Sequence, residues 1–220
     1  MKTILITHRS LDRFEGSEKE TLETAEALIS LGCRVKIFSP VTGAICKYLP
    51  CGFHNRIEDI GSFDYTIVQH NIIDKHLIRK SKSNIYRCHS HYTPEERPSE
   101  WWNYPISAIT TEVADFLRTI NRTRVSITPH LVNLKRYKCK RKLRRNPKVC
   151  IFSNRVTKDI GFPVIGIKSV KERFDIHTHL EDYDVVVGAG RSAIEAMSMG
   201  KVVIAGSQRF GIDGTIRLNN

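Results

Sequence analysis

Apolar and polar positions alternate along this chain in two different periods. Apolar positions three and four residues apart indicate helices, whereas short apolar runs rich in β-branched residues are typical of strands. The clearest helix is predicted over 17–31, with Gly32 placed as its stop, and a second is predicted near 113–119. The apolar face predicted for the first helix consists of Leu22, Ala25, Leu28 and Ile29.

Strand patterns recur between the helical segments. Strands alternating with helices predict an α/β fold with a doubly wound parallel sheet. The strands are predicted over 2–7, 34–39, 64–69, 84–88, 106–110, 124–128 and 148–153, with shorter candidates at 163–167 and 174–177.

The segment 184–205 is the most informative part of the chain. A strand predicted over 184–187 enters the turn Gly188-Ala189-Gly190, a helix follows over 192–199, and a second strand is predicted over 201–205. This βαβ unit puts a helix N-terminus, with free backbone N–H groups, beside the carboxyl end of a buried strand. Such positions hold phosphate groups in α/β folds.

A strongly basic run interrupts the pattern. Lys135–Arg145 contains eight basic residues among eleven and no acid. We place a domain boundary there, which predicts an N-terminal domain over 1–140 and a shorter C-terminal domain over 146–220. The run is a solvated linker or a contact for nucleic acid or an acidic membrane surface.

The bulk composition is that of a globular protein with anionic partners. The 220 residues carry a formal net charge of +12, which favours nucleotide sugars, nucleic acid or an acidic membrane. No apolar run reaches transmembrane length, and the six cysteines form no C-x-x-C pair. We therefore expect a cytoplasmic protein with reduced cysteines, and peripheral membrane attachment through the basic run is one option.

Four segments, in order along the chain, resemble motifs of one enzyme family. They are Glu15–Leu22, Thr128–Tyr137, Phe152–Arg155 with Lys158 close behind, and Glu195–Ile204. The sequence resembles the family 4 retaining glycosyltransferases of GT-B fold. It departs from them at Val187, where the family often has a glutamate, and in the roughly 75 residues that follow the basic run, which make a short second domain.

The resemblance implies two Rossmann-like domains that face a cleft, the second of them reduced. It implies transfer of a sugar, with retention, from a nucleotide-sugar donor to a carbohydrate or glycoprotein acceptor. GDP-mannose is the first donor expected and a UDP-sugar the next. The resemblance implies no cofactor and no metal. Asp182-Tyr183-Asp184 has a D-x-D pattern, but Asp184 enters a strand at its N-terminal end, away from the expected site.

The donor site implied by the resemblance lies mainly in the second domain. Glu195 matches the glutamate that bonds the ribose, and Gly190, Arg191 and Ser192 lead the helix toward the diphosphate. An equally weighted alternative is structural, because Ser192 and Glu195 fit the S-x-x-E capping box.

Two cations and one glycine turn complete the implied donor site. Arg155 and Lys158 match residues on the diphosphate, where fixed cations would stabilise the leaving group, although both could be ordinary surface cations. Gly16 and Ser17 match the family's glycine-rich turn, which touches the donor and the acceptor. Ser17 also begins a capping box that ends at Glu20.

The candidate catalytic residues are His89 and Glu112. His89 follows the fourth predicted strand, where the family has a histidine that contacts the transferred sugar, and the alternative is a surface histidine. Glu112 follows the fifth, and it could instead be the first-turn acid of a helix.

Two other functions stay open from the residues alone. A sugar-nucleotide epimerase would bind the nucleotide alike and use Glu112 and Asp115 for proton transfer. A nucleic-acid-binding protein on a degenerate GT-B fold would use the run Lys135–Arg145, and its binding would weaken steeply with salt.

Overall fold

The computed structural model of the chain describes residues 1–72, 75–120, 122, 124–137, 144–153, 161–165 and 176–205. The chain divides into two compact units, the first comprising Met1–Leu131 and the second beginning at Val132. The domain limits inferred from the sequence, 1–140 and 146–220, stay a prediction.

Strands and helices alternate through both units. The described strands are β1 (Thr3–Thr7), β2 (Ser10–Leu11), β3 (Arg34–Phe38), β4 (Val41–Thr42), β5 (Phe53–His54), β6 (Tyr65–Gln69), β7 (Ser83–Cys88), β8 (Ile106–Ala108), β9 (Val125–Ile127), β10 (Val149–Phe152), β11 (Val164–Ile165), β12 (Val185–Gly188) and β13 (Val202–Ala205). The described α-helices are α1 (Gly16–Ser30), α2 (Lys75–Arg79), α3 (Thr111–Thr119), α4 (Ile176–Leu180) and α5 (Arg191–Ser198).

The first unit is built on a seven-stranded sheet in the order β5-β3-β1-β6-β7-β8-β9. Every neighbouring pair in this sheet is parallel. The chain proceeds outward from β1 in one direction and then returns to start the other half at β6. This order is that of a doubly wound sheet, and its switch point lies between β1 and β6. The predicted α/β class with a parallel sheet is confirmed.

The second unit repeats the principle on a smaller scale. Its described strands form a parallel sheet in the order β11-β10-β12-β13. The direction of winding reverses between β10 and β12, so a second switch point lies there. Asp184, just before β12, accepts a hydrogen bond from the Lys148 backbone N–H at 2.9 Å, which fixes the start of β12 beside that of β10.

The core of the first unit lies between its sheet and the helices α2 and α3. Leu5, Val68 and Tyr86 come from the strands, and Leu117 comes from α3. Trp102 is also fully buried there, and it packs edge-on against Tyr86 with ring centroids 5.4 Å apart. Strands buried on both faces explain the nearly continuous apolar runs of the sequence.

The second unit has a separate core. Phe152, Val186, Leu180 and Ala196 are buried together in it, on β10, β12, α4 and α5 respectively. Tyr137 joins the same cluster although it lies inside the basic run. The remaining described positions of that run do not extend beyond Lys135, Arg136, Arg144 and Arg145, so most of the run lies outside the described residues.

Two sequence predictions of secondary structure were wrong in part. The segment 174–177 was predicted as a strand, but α4 begins at Ile176. Helix α1 was predicted to bury one apolar face, yet Ile29 is 37% exposed, whereas Glu18 and Glu20 are buried. The reason is tertiary, because the N-terminal half of α1 packs against charged and histidine side chains of neighbouring segments.

No helix of the described residues has both the length and the apolar character needed to cross a bilayer.

Candidate active site

The switch point of the first sheet brings together segments that are far apart in the sequence. Thr7 and Val68 face each other in the parallel register of β1 and β6, so the residues that follow both strands emerge at one edge of the sheet. His8 follows β1 directly and His70 follows β6. Ligands of open α/β sheets bind outside the carboxyl ends of strands at such a point.

A polar pocket of about 380 Å³ lies at this switch point. Its volume falls in the range typical of small-molecule sites. We call it the switch-point pocket. The described residues that line it are His8, Arg9, Ser10, Asp12, Arg13, Glu15, Ser17, Glu18, His70, Thr93, Glu95 and Glu96.

One edge of the pocket is shaped by a close backbone approach. Gly43 follows the short strand β4, which pairs with β2. A Cβ atom at Gly43 would lie 2.6 Å from the Asp12 Cα, so no larger residue fits there without moving the backbone at the pocket. The pairing of β2 with β4 thereby sets the position of Asp12.

Two buried histidines form part of the pocket. The rings of His8 and His70 meet edge-on, with centroids 4.4 Å apart. Burial lowers the pKa of His8 well below its usual 6.5, and nearby His70 and His89 add to the shift. Burial, followed by the effect of His89, lowers the pKa of His70 to about 4. Both imidazoles are therefore neutral at pH 7.

The first turn of α1 contributes a carboxyl group with an unusual proton affinity. Glu18 is 6% exposed, and the Ser17 hydroxyl donates a hydrogen bond to its Oε2 at 3.2 Å. Burial raises the pKa of Glu18 from 4.5 to about 7. Glu18 is thus poised between its acid and base forms near neutral pH, which suits proton exchange or hydrogen bonding with a ligand.

A second carboxylate on α1 forms the centre of a buried ionic cluster. Glu20 is 1% exposed, and Arg87 Nε donates a hydrogen bond to its Oε1 at 2.7 Å, while Arg87 Nη2 lies 2.6 Å from the same oxygen in an ion pair. His130 contacts Oε2, and His89 Nε2 lies 3.5 Å from Oε1. Burial alone would raise the pKa of Glu20, but its interactions with His130 and His89 hold that pKa well below its usual range.

Arg87 extends this cluster to the ends of three neighbouring strands. Its Nη1 donates to the Ser107 hydroxyl at 2.8 Å and to the Thr128 carbonyl, and its Nη2 donates to the Pro129 carbonyl at 3.0 Å. The guanidinium therefore connects α1 with the carboxyl ends of β7, β8 and β9. Such a fully hydrogen-bonded network fixes one arrangement of the strand ends.

The two candidate catalytic residues lie in different surroundings. His89 is buried, with 7% of its side chain exposed, and its ring stacks on His130 with centroids 6.0 Å apart. Its pKa is lowered by burial, against the opposing effect of Glu20. Glu112 is 58% exposed in the first turn of α3 and accepts a hydrogen bond from the Tyr92 hydroxyl at 2.8 Å.

Neither predicted capping box forms. Helix α1 begins at Gly16 after Glu15, so Ser17 lies inside the first turn, and Glu20 bonds Arg87 and His130 instead of the helix end. Helix α5 begins at Arg191 after Gly190, without a side-chain cap, and Glu195 pairs with Arg191. In both helices the glutamate has a stronger, charged partner than a backbone amide.

The predicted donor residues of the second unit gather at its switch point. Phe152 and Gly188 are register partners at the carboxyl ends of β10 and β12, and α5 starts three residues after Gly188. Gly190 has φ 57° and ψ −131°, a conformation that a side chain disfavours. Arg191 Nε donates to Glu195 Oε1 at 2.9 Å, with 6% and 1% of the two side chains exposed.

Ser192 occupies the second position of α5, beside this pair. The candidate cations Arg155 and Lys158 lie outside the described residues. The contribution of these residues to donor binding, like that of Gly16 and Ser17, stays a prediction.

Sequence reasoning missed most of the groups that the first sheet brings together. It did not single out His8, His70, Arg87 or His130, and it considered Glu20 only for helix capping. A signal was present, since His8, His70 and His130 each follow a strand predicted to be parallel. The pairing of Glu20 with Arg87 spans 67 residues and has no local signature.

Comparisons with known proteins support the assignment of the fold. No family model matches the sequence, and no curated protein matches it. A glycosyltransferase from Rickettsia africae ESF-5 is similar in structure, with a TM-score of 0.67 at 15% identity over 96% of this chain and 82% of that chain. A sucrose-phosphate synthase from Thermosynechococcus elongatus has a TM-score of 0.61 at 13% identity, covering 93% and 81%. The protein has the α/β fold of these solved enzymes.

Proposed function

We propose that this protein is a glycosyltransferase that uses a nucleotide-sugar donor. The observation that carries the proposal is the polar switch-point pocket, with buried histidines and a carboxyl group, in a chain that has the fold of solved glycosyltransferases. The proposal includes a GT-B plan of two Rossmann-like domains and transfer with retention to a carbohydrate or glycoprotein acceptor. GDP-mannose is the first donor to test and UDP-sugars are the next.

The second switch point supports the donor side of the proposal. The turn before α5 approaches β10 closely, because a Cβ atom at Gly188 would lie 3.3 Å from the Phe152 carbonyl oxygen. The backbone N–H groups at the start of α5 would face a diphosphate, and Arg155 and Lys158 would add positive charge. Glu195, held by Arg191, would bond the ribose. The leaving diphosphate would then be stabilised by the protein's own groups, without a metal.

The first unit would hold the reacting sugars. His89 would contact the transferred sugar as a neutral imidazole, since its pKa is lowered by burial. Glu20 would act on His89 as a positioning residue, because it lies 3.5 Å from the ring and is itself fixed by Arg87. Gly16 and Ser17 would stand beside the same ligand, and Glu112 stays a candidate.

The epimerase alternative gains no support from the geometry. Glu112 and Asp115 are 58% and 61% exposed, and Asp115 pairs with Arg118 at 2.7 Å. Neither residue is among the described residues that line the switch-point pocket. An epimerase needs proton-transfer groups that converge on one sugar carbon, and these two carboxylates sit on the outside of α3.

Calorimetric titration with GDP-mannose, UDP-glucose and UDP-GlcNAc tests the proposal. One donor should bind, and Glu195→Gln should weaken that binding at least tenfold, because the amide loses the charge that the ribose hydroxyls would meet (about 1.4 kcal/mol or more). Gln is preferable to Ala, since its carbonyl oxygen can still accept a hydrogen bond from the buried Arg191 Nε, whereas Ala offers no acceptor. The exposed Glu58→Gln is the matched control and should bind as the parent does.

Two results would count against the proposal. One is a folded protein that binds none of the three donors and releases no nucleoside diphosphate from any of them. The other is donor binding that Glu195→Gln and Glu58→Gln leave equally unchanged, which would remove the second switch point from the donor site. Thermal unfolding of each variant verifies that the fold is retained.

A further inference from the structure

The charge of the switch-point pocket is opposite to that of the whole chain. Its described lining residues include five carboxylic acids and two arginines, a formal charge of −3, whereas the chain carries +12. A basic protein that binds an anion in its pocket would place cations there. This pocket therefore selects against the phosphate groups that the overall charge attracts.

Both arginines lie at the rim and are engaged by acids. Arg9 Nη1 lies 3.0 Å from Glu95, and Arg13 lies 3.6 Å from both Asp12 and Glu15. The arginine side chains are 52% and 68% exposed, so solvent screens them as well. The described floor of the pocket contains no cation, because His8 and His70 are neutral.

The start of α1 presents a carboxyl group instead of an open phosphate site. A helix N-terminus that follows β1 in such a fold offers N–H groups to a phosphate. Here Glu18, in the first turn, is buried and lines the pocket. An incoming phosphate would be repelled by nearby Glu15 and Asp12, and by Glu18 in its ionised form. A hydroxyl group would instead donate a hydrogen bond to the Glu18 carboxylate.

His8 contributes a buried donor that needs an acceptor. The Ser10 backbone N–H donates to His8 Nδ1 at 3.2 Å, so the proton of the neutral ring resides on Nε2. His8 is 1% exposed, and its Nε2 has no hydrogen-bond partner among the described residues. A buried donor of this kind is costly unless a ligand or water satisfies it. The oxygen of a ligand hydroxyl would do so.

The backbone conformation and the ring of His70 also indicate that this pocket is a functional site. Its φ of 69° is in the left-handed region, and among the described residues it is the non-glycine residue with such a backbone. Its ring is 8% exposed, and its Nδ1 lacks a hydrogen-bond partner within the described part of the chain. Disfavoured backbone conformations of this kind cluster at ligand sites.

We propose that the switch-point pocket binds an uncharged, hydroxyl-rich pyranose ring and rejects sugars that carry a phosphate or a carboxylate. The hydroxyl groups of a sugar ring can both donate to Glu18 and accept from His8 Nε2–H, whereas a fully ionised group can only accept. The inference rests on the proposed function, in which this ring is either the transferred sugar or the reacting end of the acceptor.

Side-chain NMR of the histidines in the full-length protein tests the proposal. Imidazole ¹H–¹⁵N signals of His8 and His70, assigned with His8→Gln and His70→Asn, are followed during titration. The neutral probes are the methyl glycosides of mannose, glucose and N-acetylglucosamine, and the anionic probes are mannose 6-phosphate, glucose 6-phosphate and glucuronic acid. At least one neutral glycoside should shift both signals, and its anionic counterpart should bind about tenfold more weakly or worse.

Glu18→Gln isolates the charge argument. This variant keeps the size of the side chain, so it should reduce the preference for the neutral probe to a few-fold. Glu58→Gln, exposed and outside the pocket, is the matched control and should leave the preference intact. Anionic probes that bind as well as neutral ones, no response of either histidine to any probe, or a preference unchanged in Glu18→Gln would each overturn the proposal.

Donor titration then distinguishes the two sources of the ring. If the nucleotide sugar displaces the glycoside from His8, the ring is the transferred sugar. If both bind together, it is the acceptor end. Glycoside binding without binding of any nucleotide sugar would retain the pocket and reject the transferase proposal. Donor binding without glycoside binding would reject the pocket inference and retain the transferase.

Discussion

Glu20 illustrates how single residues of this protein depend on distant partners. A carboxylate that is 1% exposed would be expensive to bury alone, and its desolvation is offset by Arg87, His130 and His89. From the sequence, the same residue fitted a helix cap, because the capping box is a local pattern. In the structure Glu20 instead binds Arg87, which connects α1 with the ends of three strands.

Truncation of Glu20 should therefore destabilise the first unit severely. Glu20→Ala leaves Arg87 buried without its carboxylate, which typically costs about 3–5 kcal/mol of unfolding free energy. Urea unfolding followed by circular dichroism measures the change. Asp115→Ala removes an exposed acid that also pairs with an arginine, and it should change stability little. Equal losses of unfolding free energy in Glu20→Ala and Asp115→Ala would contradict a stabilising role for the ionic cluster around Glu20.

The raised pKa of Glu18 predicts that the stability of the folded protein depends on pH. Its pKa is raised from 4.5 to about 7 by burial, so the folded protein retains its proton where the unfolded chain has lost it. The stability that this difference provides is present below about pH 4.5 and is lost as the pH rises through about 7.

Glu18→Gln cannot titrate at this position, so it should gain stability relative to the parent as the pH rises. The relative gain between about pH 4.5 and about pH 8 should approach roughly 3 kcal/mol, from a pKa difference of roughly 2.5. Urea unfolding of both proteins at several pH values measures it. A stability difference that is the same at every pH would show that Glu18 does not retain its proton in the fold.

At the scale of elements, both glycine turns that resembled family motifs open a helix at the carboxyl end of a strand. Helix α1 starts at Gly16 after β1, and α5 starts at Arg191 after β12. Each strand adjoins the point where the winding of its sheet reverses. The sequence predicted the strand–turn–helix pattern in each case, but strand order alone identifies these two turns as the ones at the switch points.

The turn before α5 has a conformation that only glycine adopts without strain. Gly190→Ala places a side chain at φ 57° and ψ −131°, which should cost about 1–3 kcal/mol and weaken donor binding with it. Gly52→Ala is the matched control, because a Cβ atom there would meet no atom within 4 Å. Thermal unfolding of the two variants provides the comparison. If Gly190→Ala left the thermal stability unchanged, the turn could not have this conformation.

At the scale of the molecule, the first unit has what an independently folding domain needs. Its buried cluster, from Leu5 to Leu117, lies wholly within Met1–Leu131, as do the seven-stranded sheet and the Glu20 cluster. The long-range hydrogen bond between Arg87 and Glu20 also joins two residues of the first unit. A unit with its own core and its own polar network can fold alone.

A fragment consisting of residues 1–131 should therefore fold without the rest of the chain. We expect a single cooperative thermal transition by circular dichroism and a dispersed ¹H–¹⁵N spectrum. Glu20→Ala in the same fragment is the control, and it should lower the transition temperature strongly. A soluble fragment with no cooperative transition would mean that the first unit requires the second for stability.

The local pattern of the sequence was enough to predict the elements and the class of the fold. The apolar run of β1 is buried along almost its whole length, so its composition alone predicts a strand of a parallel sheet. The segment that became α4 was mistaken for a strand, because a short alternating run has no decisive period.

What the sequence by itself determined is the alternation of strands and helices, the two glycine turns and the excess of positive charge. Those features are local, since each depends on neighbouring residues or on a simple sum. The tertiary structure alone decided the strand order, and with it the meeting of His8 and His70 at one pocket and the burial of Glu20 against Arg87. It also gave a basic protein an acidic pocket, because charge at a site depends on which residues the fold gathers there.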